Sequence, residues 1–245
     1  MKISEVARLT FRHRIADNLR AAILNGDMPP GTPLVEARLA EQFGVSRGPL
    51  REAMRQLTEE GLLTTRAYTG THVTPLTIQD ARDLFALRAA LEVFAFEQCW
   101  DKRGPEFFAE MKRRHGALLH AIDSGDSRAA ILHELELHSL AYETTGNAQL
   151  LSVWSGMRGR IQLYWAVHHR VQGGPRREGH DSYVKLACGN DLKAMIREIK
   201  AHVRHGEERT AEFLEQLEAQ RTGLAPVVSV VKADARPPTR MKETT

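Results

Sequence analysis

Residues 44–61 read GVSRGPLREAMRQLTEEG, and the fold of the N-terminal part turns on this stretch. Ser46 is placed to open a helix, with a hydroxyl able to accept from a free amide of the first turn. Pro49 falls in that first turn, where a missing N–H costs little. Leu50, Ala53, Met54 and Leu57 recur at i, i+3, i+4 and i+7 and make one apolar face. Arg47, Arg51 and Arg55 follow one another at every fourth position on the opposite side. Gly61 closes the run as glycine does past a helix end. A short helix with a buried stripe and an outward row of arginines suits the major groove of DNA.

Working outward, residues 35–43, VEARLAEQF, predict a second short amphipathic helix with Val35, Leu39, Ala40 and Phe43 inward. Gly44-Val45 makes a tight turn between the two helices. After Gly61, Leu62–Ala67 and Thr71–Pro75 are strand-like runs around Tyr68-Thr69-Gly70, which predicts a hairpin wing. A row of arginines by itself is ordinarily a solvated face. The order helix, glycine turn, arginine helix and hairpin makes it a DNA-facing surface.

The run Ile15–Val73 resembles the winged helix-turn-helix domain of the GntR family of bacterial transcription regulators. The matching residues include Leu19, Ile23, Gly26, Pro30-Gly31, Leu34, Arg38-Leu39-Ala40, Gly44-Val45-Ser46-Arg47, Pro49, Leu50-Arg51-Glu52-Ala53, Leu57, Glu60-Gly61-Leu62 and the wing Gly70. The dense part of the match covers about a quarter of the chain. It implies that Arg47 and Arg51 reach base edges, that Arg38, Ser46 and the amide near Gly48 hold phosphates, and that the wing at Gly70 borders the minor groove. A dimer would read a two-fold related operator on double-stranded DNA.

Composition is compatible with this. The chain has 245 residues, 42% hydrophobic and 27% charged, with a net charge of +3. That is ordinary for a soluble globular protein with room for two cores. The net charge is too slight to argue for nucleic acid, so that argument rests on where the arginines sit. No apolar run approaches the ~20 residues of a membrane span, and the N-terminus shows no apolar signal segment. Cys99 and Cys188 form no CxxC pair. The expectation is a cytoplasmic protein with two reduced thiols.

Three segments are expected: a winged helix-turn-helix domain over residues 1–75, an all-α effector-binding and dimerisation domain over 76–222, and a disordered tail over 223–245. Residues 1–10 read as a leader without pattern, with a first helix over Phe11–Asn25. From Thr77, whose spacing to Asp80 resembles a capping pair, six helices follow and no strand signal appears. The predicted helices run from Ile78 to about Trp100, over Pro105–Ser124, from Asp126 or Ser127 to about Thr145, over Ala148–Val171, over Arg176–Ala187, and from Asp191 to about Ala219. Gly146-Asn147 and Gly173-Gly174-Pro175 interrupt the series. The fold class is therefore mainly α, a winged helix-turn-helix domain plus a C-terminal helical bundle. Leu84–Glu92, Glu134–Asn147 and the helices bearing His180 and His202 resemble the FCD ligand-binding domain of the FadR subfamily.

Glu134 and His138 are four apart on one predicted helix and point the same way. His180 shares a face with Val184 and Ala187, and His202 with Met195 and Ile199. Buried together, these groups could be core residues satisfied by polar neighbours, or three imidazoles and a carboxylate around a divalent metal. The resemblance favours the metal: metal-binding FCD domains carry an Asp, a His four residues on, and one His on each of the last two helices. Here Glu134 stands in the Asp position. Zinc is the first candidate, with nickel or manganese as alternatives. The remaining histidines (His13, His72, His115, His120, His133, His168, His169, His205) read mainly as surface residues. Arg88 faces inward and either pairs with Glu92 or binds an effector carboxylate. The matching arginine often lines the effector pocket of FCD domains. Asn147 and Arg158 are further pocket candidates, although Asn147 also suits a helix break. The combined reading is a dimeric repressor controlled by a small carboxylate at a metal-containing pocket. A metal-dependent enzyme and a direct metal sensor at the same site are the alternatives.

Overall fold

The computed structural model describes residues 4–172 and 179–221. The expected tail over 223–245 and the break at Gly173-Gly174-Pro175 lie outside them. The first unit contains helix α1 (Ser4–Asn25), strand β1 (Pro33–Leu34), helices α2 (Glu36–Phe43) and α3 (Arg47–Glu59), and strands β2 (Leu63–Arg66) and β3 (Gly70–Val73). Helix α1 begins seven residues before Phe11, because SEVARLT holds neither glycine nor proline to stop it.

Between α2 and α3 the chain turns at Gly44, whose φ of +62° is left-handed. The Gly44 N–H bonds to Glu41 O and that of Val45 to Ala40 O, which satisfies the last turn of α2. Leu50, Ala53, Met54 and Leu57 are all buried, as is the Ile15, Leu19, Ile23 face of α1 against which α3 packs. Each such Leu, Ile or Met side chain contributes about 1.5–3 kcal/mol when fully buried. Two details depart from expectation. Val35 is the N-cap of α2 and is 50% exposed, since a residue ahead of the helix does not share its inner stripe. Ser46 is the N-cap of α3, but its hydroxyl makes no capping bond.

The wing is a three-stranded antiparallel sheet in the order β1-β3-β2, with Pro33 opposite His72 and Leu63 opposite Val73. The edge strand β1 was not expected, because two residues are too few to show an alternation. At the hairpin tip, Tyr68 has φ +66° and its side chain is fully exposed.

The second unit is helical. It comprises α4 (Ile78–Cys99), a 3₁₀ turn at Trp100–Lys102, α5 (Pro105–Asp123), α6 (Ser127–Thr145), α7 (Ala148–Gln172), α8 (Asp181–Ala187) and α9 (Leu192–Arg221). Local chemistry sets the boundaries. Thr77 Oγ1 accepts from the Asp80 amide at 3.0 Å and caps α4. Asp126 caps α6 through the Ala129 amide at 2.9 Å. Pro105 occupies the first turn of α5. The fifth helix of the bundle starts at Asp181 rather than Arg176, with His180 as its N-cap; residues 176–178 lie outside the described residues. Helix α4 packs against α6, α7 and α9, and so lies at the centre of the bundle.

The two units meet along α7. Gly156 and Gly159 lie against the end of α3, so close that a Cβ on Gly159 would stand 1.8 Å from Glu60 O. Arg170 Nη1 donates across the junction to Leu24 O of α1 at 3.1 Å, and Tyr164 Oη donates at 3.1 Å to Thr77 O, where the chain enters the bundle.

Candidate metal centre and nucleic-acid interface

Arg38, Ser46, Arg47, Gly48, Arg51 and Gly70 are all exposed. The buried stripe of α3 turns Arg47, Arg51 and Arg55 outward. Arg51 is tied to the preceding helix: its Nε donates to Glu36 Oε2 at 2.7 Å. At the far end of α3, Glu60 accepts two bonds from Arg20, at 2.9 and 2.7 Å, and locks α3 onto α1.

Inside the bundle, Glu134 and His138 on α6, His180 ahead of α8 and His202 on α9 converge. One ligand atom from each lies within 4.8 Å of all the others. Bonds of about 2.0–2.2 Å to one ion place its ligand atoms some 3–4 Å apart, so small side-chain adjustments bring all four onto a metal. The imidazole rings of His138, His180 and His202 have centroids 4.7–5.5 Å apart. His180 Nε2 is 3.3 Å from Glu134 Oε1.

Glu92 on α4 orients this group. It is wholly buried and accepts from His138 Nδ1 at 2.8 Å, Tyr183 Oη at 2.7 Å and Arg88 Nε at 3.2 Å. Burial pushes the Glu92 carboxyl up, but His138, Arg88 and the hydrogen bonds together hold it well below the ordinary range. Burial drives His138 the other way, toward the neutral ring. A neutral imidazole beside an ionised carboxylate donates its Nδ1–H and leaves a lone pair on Nε2. Among the described residues His138 Nε2 has no hydrogen-bond partner, and neither ring nitrogen of His180 has one. Orphaned polar atoms are rare in protein interiors. Three in one buried cluster, beside a carboxylate, fit a metal ion, and the carboxylate–histidine pair is the support such ligands ordinarily have. Burial, with the charges of His138 and His180, lowers His202 well below the usual histidine range. Glu134 is held at about 2, the upward push of burial being outweighed by the three histidines.

Glu134, His180 and His202 of the cluster line a cavity of about 270 Å³, with His138 packed behind them. Arg88, Trp165, His168, His169, His205, Arg209 and Thr210 also line it. The pairing expected of Arg88 is present, Nε to Glu92, while its buried Nη2 has no hydrogen-bond partner among the described residues. Its guanidinium lies 5.5 Å from the Trp165 ring and 6.0 Å from that of Trp154, a favourable cation–π environment.

Two pocket candidates lie elsewhere. Asn147 is exposed and its Oδ1 caps α7, accepting from the Gln149 and Leu150 amides at 3.1 Å. Arg158 stands near Glu136, Glu143 and Arg114, away from the cavity. The reading of the other histidines as surface residues also needs correcting, since His168 is buried and, with His169 and His205, lines the cavity. The signal was available: Ile161, Tyr164, Trp165 and His168 recur at helical spacing on one buried face of α7. Glu92 likewise follows Arg88 by one turn, among Phe85, Ala95 and Phe96.

Comparison with known proteins places both units. Residues 11–73 match the model of the gntR family of bacterial regulatory proteins, and residues 83–205, half of the chain, match the FCD domain. The chain belongs to the GntR family and carries an FCD domain. It is similar to the HTH-type transcriptional regulator YdhC of Bacillus subtilis, 28% identical over 82% of this chain and 91% of that one. It is 23% identical to the gluconate operon transcriptional repressor of Bacillus licheniformis, over 79% and 82% of the two chains. In fold it resembles a GntR transcriptional regulator structure from Rhodococcus sp. RHA1, at TM-score 0.67 and 22% identity over 82% of this chain and 97% of that one. The chain is thus a DNA-binding transcriptional regulator and not an enzyme, and relatives of the family are named as repressors. GntR regulators bind DNA and small effectors, and FCD domains often bind metals. No helix among the described residues is long and apolar enough to cross a membrane.

Proposed function

We propose that this GntR regulator is a homodimeric, cytoplasmic repressor whose operator binding is controlled by a small carboxylate held in the bundle cavity beside a divalent metal. The observation that carries the reading is the cluster of Glu134, His138, His180 and His202, three of which line the same cavity as Arg88, whose buried Nη2 has no partner among the described residues. Three imidazoles and one carboxylate suit zinc first, then nickel or manganese. The ion would supply positive charge and coordination positions for an anion. Arg88 would receive the other end through its free guanidinium nitrogen. Residues 76–222 form the effector and dimerisation domain in this reading. Leu87, half-buried Leu91 and Phe94 share one face of α4, with Leu87 and Phe94 exposed, and this apolar stripe supports pairing with a second copy.

On the DNA side, residues 1–75, Arg47 and Arg51 would read guanine edges, Arg38, Ser46 and the Gly48 amide would hold phosphates, and the wing at Gly70 would follow the minor groove. The effector would act by binding two domain arrangements unequally. A difference of about 1–3 kcal/mol changes operator affinity roughly 5- to 150-fold.

Metal content and operator release test this together. Purified protein should hold about one ion per chain, and a small-carboxylate panel should include a compound that weakens operator binding in wild type but not in Arg88→Ala. Failure of zinc, nickel and manganese all to bind on reconstitution would return the histidines to a purely structural role.

A further inference from the structure

A second cavity, of about 300 Å³, lies where the two units meet. Its apolar floor is Leu24 of α1, Ile131 of α6 and Ala166 of α7, all buried. Arg128, from the first turn of α6, and Arg170, from the last turn of α7, stand at its sides. No Asp or Glu is among its lining residues within the described part of the chain. Among the described residues Arg128 makes no ion pair, and Arg170 makes one side-chain hydrogen bond, from Nη1 to Leu24 O. The arrangement at Arg170 depends on a glycine: a Cβ on Gly26, at φ +87°, would fall 2.2 Å from Arg170 Nη1. A guanidinium carries five donors, so most of the capacity of both arginines faces solvent or the cavity. Unpaired cations around an apolar floor are the chemistry of an amphipathic anion site.

We propose that this junction cavity is a second ligand site, selective for a small organic monoanion, with the anionic head between Arg128 and Arg170 and a short apolar body on Leu24, Ile131 and Ala166. Its position gives such a ligand leverage. Leu24 belongs to α1, which packs directly on the recognition helix α3, whereas the other floor residues belong to the bundle. An anion there joins the two units and favours the arrangement in which Arg170 reaches α1. His169 walls both this cavity and the one bearing the histidine cluster, but the anion-binding groups proposed here, Arg128 and Arg170, line only the junction cavity. The proposal does not require the metal reading to hold.

The test uses the full chain, with benzoate as the anionic probe and benzamide as its neutral counterpart, followed by titration calorimetry. Benzoate should bind at least about tenfold more tightly than benzamide, since a charge-assisted bond to arginine is lost in the amide. Arg128→Gln, a surface change that leaves the core untouched, should weaken benzoate about tenfold, and Arg170→Gln should do the same. His202→Ala, which alters only the other cavity, should leave a benzoate site with wild-type affinity. The proposal is overturned if benzoate does not bind, if benzamide binds equally well, if Arg128→Gln retains full affinity, or if all benzoate binding disappears in His202→Ala.

Discussion

Replacing either glycine of α7 at the domain junction by alanine tests the packing of the two units quantitatively. Gly156 and Gly159 are both in the helix interior, where Gly→Ala by itself is worth up to about 1 kcal/mol. That gain is common to both variants and cancels in their difference. What remains is the contact each new methyl meets. At Gly156 the nearest atom is Glu59 O at 3.5 Å, an ordinary contact, so Gly156→Ala should stabilise. At Gly159 the Cβ would be 1.8 Å from Glu60 O and 2.9 Å from the Glu60 carbonyl carbon. These are backbone atoms at the end of the recognition helix and cannot rotate away. Ordinary contact begins at 3.4 Å, so the units must separate locally by about 1.6 Å. Overpacking of this kind costs about 1–3 kcal/mol. At roughly 2–4 °C per kcal/mol for a chain of this size, Gly159→Ala should melt about 2–12 °C below Gly156→Ala when followed by circular dichroism. If Gly159→Ala melts with Gly156→Ala or above it, α7 does not rest on the end of α3 in solution, and the contact offers no path between effector and DNA.

Further outcomes are expected elsewhere. Arg47→Ala and Arg51→Ala should each remove about 1–3 kcal/mol of discrimination at one operator position, whereas Arg38→Ala should weaken all sequences alike and flatten the salt dependence; footprinting with randomised operators separates the two patterns. Glu92→Gln should weaken metal binding about 10–100-fold without touching a ligand, as measured by competition with a chromophoric chelator. Metal affinity should fall as pH drops and the imidazoles protonate. Because the folded-state pKa of His202 is lowered, that ring stays neutral, and able to ligate, to lower pH than an ordinary histidine. Cys99 is buried, with its thiol pushed up to about 11 chiefly by burial, so a disulfide reagent at pH 8 should modify half-exposed Cys188 first and Cys99 only on unfolding.

Much of this protein was legible in the sequence because its signals are local. The stripe Leu50, Ala53, Met54, Leu57 and the glycine turn at Gly44 determine helix, turn and helix whatever surrounds them. Thr77, Asp126 and Asn147 cap their helices through bonds spanning two or three residues, so bundle boundaries could be read in the same way. Periodicity also put Glu134, His138 and His202 on inward faces. It could not decide that they meet, because they come from helices distant in the chain, and His180 joins them from just outside a helix rather than from within one. Nor could it assign Glu92, whose role exists only because α4, α6 and α8 bring Arg88, His138 and Tyr183 around one carboxylate. Asn147 and Arg158 fell outside the cavity for the same reason: spacing along a helix fixes a direction, but only the packing of one helix against another fixes what lies in that direction. The contact of Gly159 with Glu60 is the extreme case, since a glycine has no side chain whose polarity could announce its partner, and the space it leaves has meaning only when another backbone occupies it.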